Sequence, residues 1–162
     1  MSTRSFIRVI LKEEDRNRDM MFTPNAQQAI DLENKPWYKE VKEGCWEKVN
    51  AHGKEALRIY HHWDGYIEGV GETLYENYNT YEDALNLVLG GDVSTINDTY
   101  TPYATRMGEE WENIKPQAID EDAPINEDYD YMFKDGEWFV RSLYDETCEE
   151  WTSLKDIFEK EL

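Results

Sequence analysis

One hundred and sixty-two residues suffice for one domain, and 40% hydrophobic with 14% aromatic residues supply a core despite a mean hydropathy of -0.86. Thirty-six acids against seventeen Lys and Arg leave a formal charge of -19, which argues against direct binding to nucleic acid or to an anionic membrane surface. No run reaches the roughly 20 apolar residues of a membrane span, the first residues lack a secretory signal's apolar run, and two cysteines, Cys45 and Cys148, fit a reducing cytoplasm better than a disulfide framework.

Ser5 to Leu11 is apolar and β-branched with one interior charge, and reads as an opening strand. From Lys12 to Lys54 the pattern breaks, with both charge signs mixed and Pro24 and Pro36 as punctuation. Ala26 to Ile30 suits a short helix, and the stretch 12–54 reads as an insertion or irregular excursion within a single domain. Ala56 to Trp63 alternates as a strand, and Asp64-Gly65 turns the chain. Val70, Leu74 and Tyr78 then recur at helical spacing over residues 67–78. Thr80 as N-cap and Gly90-Gly91 as terminator bracket a second, apolar helix. Residues 112–128, with Pro116, Pro124 and many acids, read as a loop. Asp135-Gly136 between two aromatic runs predicts a hairpin, and a helix capped by Thr152 or Ser153 closes the chain. The expected class is α+β, a mainly antiparallel sheet with two or three helices on one face.

The chemistry-bearing residues are few. Alternation sends His61 and His62 to opposite faces, so the two cannot readily share a metal, and His61 with Asp64 alone makes a poor site. Gly65, Gly69 and Gly71 sit where a phosphate loop would, but Glu68 and Glu72 oppose an anion there; a tight turn with close backbone packing is the better reading. Neither cysteine has a recognisable active-site context. No catalytic motif, cofactor or metal set stands out, and an enzyme is the lesser expectation.

The acid is uneven. Residues 109–162 hold 18 of the 36 acids but 5 of the 17 bases, and they are also rich in aromatics, which an acidic disordered tail would lack. A folded, anionic face is expected there. Its candidate contacts are Glu109, Glu110 and Glu112; Asp120, Glu121 and Asp122; Glu127, Asp128 and Asp130; and Glu149 with Glu150. Trp63, Tyr66, Trp111 and Trp138 are candidate aromatic anchors, with core packing expected for at least half of them.

The run Tyr60-His61-His62-Trp63-Asp64-Gly65-Tyr66, followed by Leu74 and Tyr78, resembles a Tyr-x-His-Trp-Asp-Gly-Tyr motif of small uncharacterised proteins of phages and mobile elements. Leu89-Gly90-Gly91-Asp92 and Arg106-Met107-Gly108-Glu109 resemble further segments of that family; Ile67 stands where proline is usual. The resemblance implies a phage setting and no catalytic residues. Within it, an acidic protein is expected to occupy a basic surface on a host nucleic-acid-handling or defence protein, as a mimic of DNA charge. The alternative is a small-ligand binder or enzyme with a pocket around His61, His62, Asp64, Tyr66 and Arg106.

Overall fold

Long-range pairing, rather than any local motif, decides where the first strand lies. The computed structural model of the chain describes residues 3–23, 48–97, 103–106, 111–124 and 127–159, and within these the side chains of all but 97, 103–106, 111 and 112. Strand β1 (Ser5–Ile10) is flanked by β2 (Ala56–His61), antiparallel, and by β6 (Tyr129–Lys134), parallel. With β3 (Val93–Asn97), β4 (Tyr103–Arg106), β5 (Gln117–Ile119), β7 (Glu137–Arg141) and β8 (Thr152–Ser153), they form an eight-stranded sheet ordered β4-β3-β2-β1-β6-β7-β8, with β5 also on β2.

The expected α+β class holds, but the sheet is mixed. Both β1–β6 and β2–β3 run parallel, while the other described pairings are antiparallel. The outer edge of β2 is divided between two strands. β5 covers Ala56 to Arg58, the Asp92 carboxylate accepts from the Tyr60 amide at 2.9 Å, and β3 begins opposite His61.

One face is apolar because the strands alternate. Ile7, Val9, Leu57, Ile59, Tyr131, Phe133, Trp138 and Val140 are all buried on it. Helices cover that face. A π-helical turn (Ile67–Gly71) leads into α1 (Glu72–Asn77), α2 (Tyr81–Leu89) lies across β1 and β2, and α4 (Leu154–Glu159) lies against β7. Thr80 caps α2 by accepting from the Asp83 amide at 3.1 Å, and Gly91 turns the chain out at φ +85°. Each enclosed Leu, Ile, Val or Phe contributes about 1.5–3 kcal/mol relative to exposure, so this face dominates stability.

The hairpin turns at Asp135 (φ +52°) and Gly136 (φ +83°), the two left-handed residues that a two-residue connection matching strand twist demands. Two readings need correction, and one holds. The segment 112–128 is not only loop: it holds the end of the short helix α3 (Trp111–Ile114) and strand β5. The closing helix begins at Leu154 and is capped as expected by Ser153, whose Oγ accepts from the Asp156 amide at 3.4 Å; Thr152 and Ser153 also form β8. Strand β2 ends at His61, so Trp63 lies in the turn beyond it.

The described ends of the excursion are part of the core. Met20 and Val49 pair in an isolated antiparallel bridge, and Met20, Phe22, Val49 and Ala51 are buried. The expected helix at Ala26 to Ile30 lies outside the described residues.

Candidate functional site

Strands β1 and β6 begin, and β2 and β7 finish, at one end of the sheet: Ser5 pairs with both His61 and Tyr129, and Asp130 with Arg141. Two connections there are pinned by hydrogen bonds. In residues 62–66 the Gly65 amide donates to Thr3 O at 2.8 Å, and Gly65 O accepts from the Tyr131 hydroxyl at 2.8 Å. A Cβ on Gly65 would lie 2.7 Å from Thr3 O, and one on Gly69 would overlap the carbonyl of Asp64, itself left-handed at φ +56°. The glycines therefore serve close backbone packing, as their acidic neighbours suggested.

After β7, Ser142 Oγ donates to Asp128 O and accepts from the Tyr144 amide at 3.1 Å. Asp145 Oδ1 accepts from Thr147 N at 2.9 Å, and its Oδ2 accepts from the Tyr129 hydroxyl at 2.7 Å. That second bond, first, and the Thr147 amide hold the Asp145 carboxyl below its usual range. With the backbone so held, large apolar side chains are left in solvent. Trp63 is 50% exposed, Tyr66 40%, Leu143 60% and Tyr144 81%, and among the described residues only Met21 joins them. Asp64, Glu68, Glu127, Asp128, Asp145 and Glu146 lie in or beside the same connections.

Beneath the first connection is a cleft of about 240 Å³ that holds His61, Asp64 and Tyr66 together with Glu68 and Thr73. His61 is enclosed, with Nδ1 3.1 Å from Ser5 Oγ. Burial, helped by the neighbouring His62, drives its pKa down to about 4, so the imidazole is neutral at pH 7. His62 does not belong to this cleft. It bonds the Tyr60 hydroxyl at 2.8 Å and meets the Trp63 ring edge-on. The backbone of Arg106 lies opposite Val93, which pairs with His61, but the Arg106 side chain is outside the described set. Of the four expected pocket residues whose side chains are described, three line this cleft. Among the described residues no three His, Cys, Asp or Glu side chains are grouped to hold a metal ion. Cys148 is buried and its thiol is pushed up to about 11, by burial and then by Asp145, which disfavours a reactive thiolate; Cys45 lies outside the described residues.

The acidic candidates separate by environment. Glu109 and Glu110 lie outside the described residues, as do the side chains of Glu112 and Trp111. Asp120, Glu121 and Asp122 follow β5 on the face away from the helices, where buried Arg8 donates to Glu121 O at 3.3 Å and to Ala123 O at 3.1 Å. Asp120 pairs with Lys54 at 3.5 Å and Glu121 with Lys134 at 3.0 Å. Asp128 accepts from the Arg4 amide at 3.1 Å, and Glu127 is half-buried beside it. Glu149 and Glu150 are exposed; Arg141 Nε donates to Glu149 O at 2.8 Å, and the Trp151 ring lies 5.5 Å from Arg8 Cζ.

Two candidates are corrected. Asp130 is fully enclosed and paired with Arg8 at 3.1 Å, so its carboxylate cannot reach a partner. Trp138 is core, with Nε1 donating to Tyr78 O at 2.8 Å. Leu143 and Tyr144 were missed because the apolar run from Trp138 to Leu143 reads as one strand, whereas β7 stops at Arg141.

Comparison of the chain with family models, curated proteins and solved structures finds no match.

Proposed function

We propose that this chain is a docking protein whose acidic strand end seats on a basic surface of a host nucleic-acid-handling or defence protein. One observation carries the reading: of the five large exposed apolar side chains among the described residues, four, Trp63, Tyr66, Leu143 and Tyr144, share one end of the sheet with six acids. A monomer gains nothing from solvent-exposed Trp and Tyr, whereas interfaces concentrate binding energy in such anchors. The surrounding carboxylates would steer a cationic partner and exclude anionic ones. Glu127 and Asp128 belong to this rim; Asp120, Asp122, Glu149 and Glu150 extend the negative field along the sheet's second face. The resemblance of residues 60–66 to a phage motif supports the host setting and has no bearing on the geometry.

The test is capture by the tagged chain from host lysate, washed at low and at high salt and then challenged with duplex DNA. The expected result is a nucleic-acid-binding protein held at low salt, lost at high salt and displaced by DNA. Trp63→Ala with Tyr144→Ala should weaken capture at least about tenfold, the effect of losing one hot spot. Retention that ignores salt, DNA and this double variant overturns the proposal.

A further inference from the structure

Polar groups converge, unspent, in the 240 Å³ cleft beneath residues 62–66. His61, only 1% exposed, forms its floor and uses Nδ1 on Ser5 Oγ. Buried polar atoms normally find a partner. Nε2 of His61 has none among the described residues, and it is not sealed off like the unpaired Nε atoms of Arg8 and Arg58, so it opens onto the cleft. Above it stand the exposed carboxylates of Asp64 and Glu68 and the half-buried hydroxyl of Thr95. No described residue bonds any of these three groups. Glu68 is carried by the π-helical turn, a rare conformation that concentrates at functional sites.

No described Lys or Arg lines the cleft, whereas Trp63 and Tyr66 both do. The lining is therefore negative, rich in acceptors and aromatic, which suits a cation with many donors. Guanidinium meets this better than ammonium, because it is flat, carries five donors and stacks on aromatic rings. The volume falls below the roughly 300–1,000 Å³ of small-molecule sites, so the space suits one side chain rather than a whole ligand.

We infer that this cleft receives a single arginine side chain of the docking partner, its guanidinium donating to His61 Nε2 between the Asp64 and Glu68 carboxylates, with Trp63 against its plane. In that complex Nδ1–H of His61 donates to Ser5 Oγ, which leaves the Nε2 lone pair free to accept. The inference rests on the docking proposal for the source of the arginine.

The experiment is an NMR titration of the full chain at ~0.15 M salt, where surface charge is largely screened. The probes are Nα-acetylarginine methylamide and the matching lysine and citrulline derivatives. The arginine probe should give saturable shifts at Asp64, Glu68, Thr95 and the Trp63 indole, with a Kd of about 1–10 mM. The lysine probe should bind more weakly, and the uncharged citrulline probe at least about tenfold more weakly. Asp64→Asn with Glu68→Gln should weaken the arginine probe about tenfold at an unchanged melting temperature, since asparagine also accepts the left-handed backbone of Asp64. Glu149→Gln with Glu150→Gln removes the same charge elsewhere and should leave binding intact. Equal binding of arginine and citrulline probes overturns the inference, as do equal losses from the two double variants. Docking is read separately, by capture from lysate. Capture at full strength by the Asp64→Asn, Glu68→Gln chain overturns the cleft and leaves docking standing. Binding of the arginine probe with no protein captured supports the cleft and counts against docking.

Discussion

Arg8 and Asp130 show how a residue meant for the surface ends in the interior. Both side chains are fully enclosed, and the pair survives because Arg8 also satisfies the Glu121 and Ala123 carbonyls. Asp130→Asn leaves the guanidinium buried without its counter-charge and should cost about 3–5 kcal/mol in urea denaturation. Arg8→Met combined with Asp130→Leu should return most of that; a double variant no better than the single one would refute the charge argument. His61 adds a pH dependence. Its pKa is held down at about 4 by burial, against ~6.5 for an exposed histidine. Between those values the unfolded chain takes up a proton that the folded chain refuses, so stability from this group is whole above pH ~6.5 and is lost as pH falls towards 4. Asp130 acts with opposite sign. Burial raises its carboxyl to about 6, although Arg8 pulls it down, so the folded chain binds the proton first and stability falls as pH rises from ~4 to 6. The two slopes oppose each other in wild type. The stability difference between wild type and His61→Gln should therefore grow, by up to about 3 kcal/mol, from pH 4 to pH 6.5. A difference independent of pH would show that His61 is not held neutral by the fold.

At the scale of elements, local signals succeeded where the cause of the structure is local. Thr80 caps α2, Asp135-Gly136 turns the hairpin, and Gly65 and Gly69 make the tight exit from β2. Thr80→Ala should lower stability by about 1 kcal/mol. Gly69→Ala should cost about 1–3 kcal/mol, because its Cβ meets the Asp64 carbonyl and the chain must shift. Equal melting temperatures for Gly69→Ala and wild type would mean the turn relaxes freely. Strands β3, β5 and β8 were not legible. They are short or polar, with Pro116 directly before β5, and they exist because β2 and β7 offer open edges. The parallel β1–β6 pair joins residues more than 120 positions apart, and no periodicity records such a partner.

For the whole molecule, a charge of -19 works against compactness and in favour of cationic partners at once. Raising salt from ~0.01 M to ~0.1 M shortens the screening length from about 30 Å to about 10 Å. The melting temperature should rise over that range while capture of a basic partner weakens. A melting temperature that falls with salt would show that attractive pairs such as Lys54–Asp120 and Lys134–Glu121 outweigh the repulsion. Both directions come from one salt series, so stability and binding are read apart.

The α+β class, the opening strand, the turn at Asp64-Gly65, the capped helix, the hairpin and the excess of acid in the last third could all be read from the residue order, because each rests on composition or on neighbours within a few residues. It also separated His61 from His62 by alternation alone. Which acids stay in solvent was settled by the packing, since Asp130 and Glu127 read alike in a row of carboxylates and differ only in what packs over them. The same packing brought Trp63 and Tyr66 to the same end of the sheet as Leu143 and Tyr144, and placed Thr95 in one cleft with Asp64. Those meetings depend on strand order, and strand order follows from burying one apolar face across the whole chain.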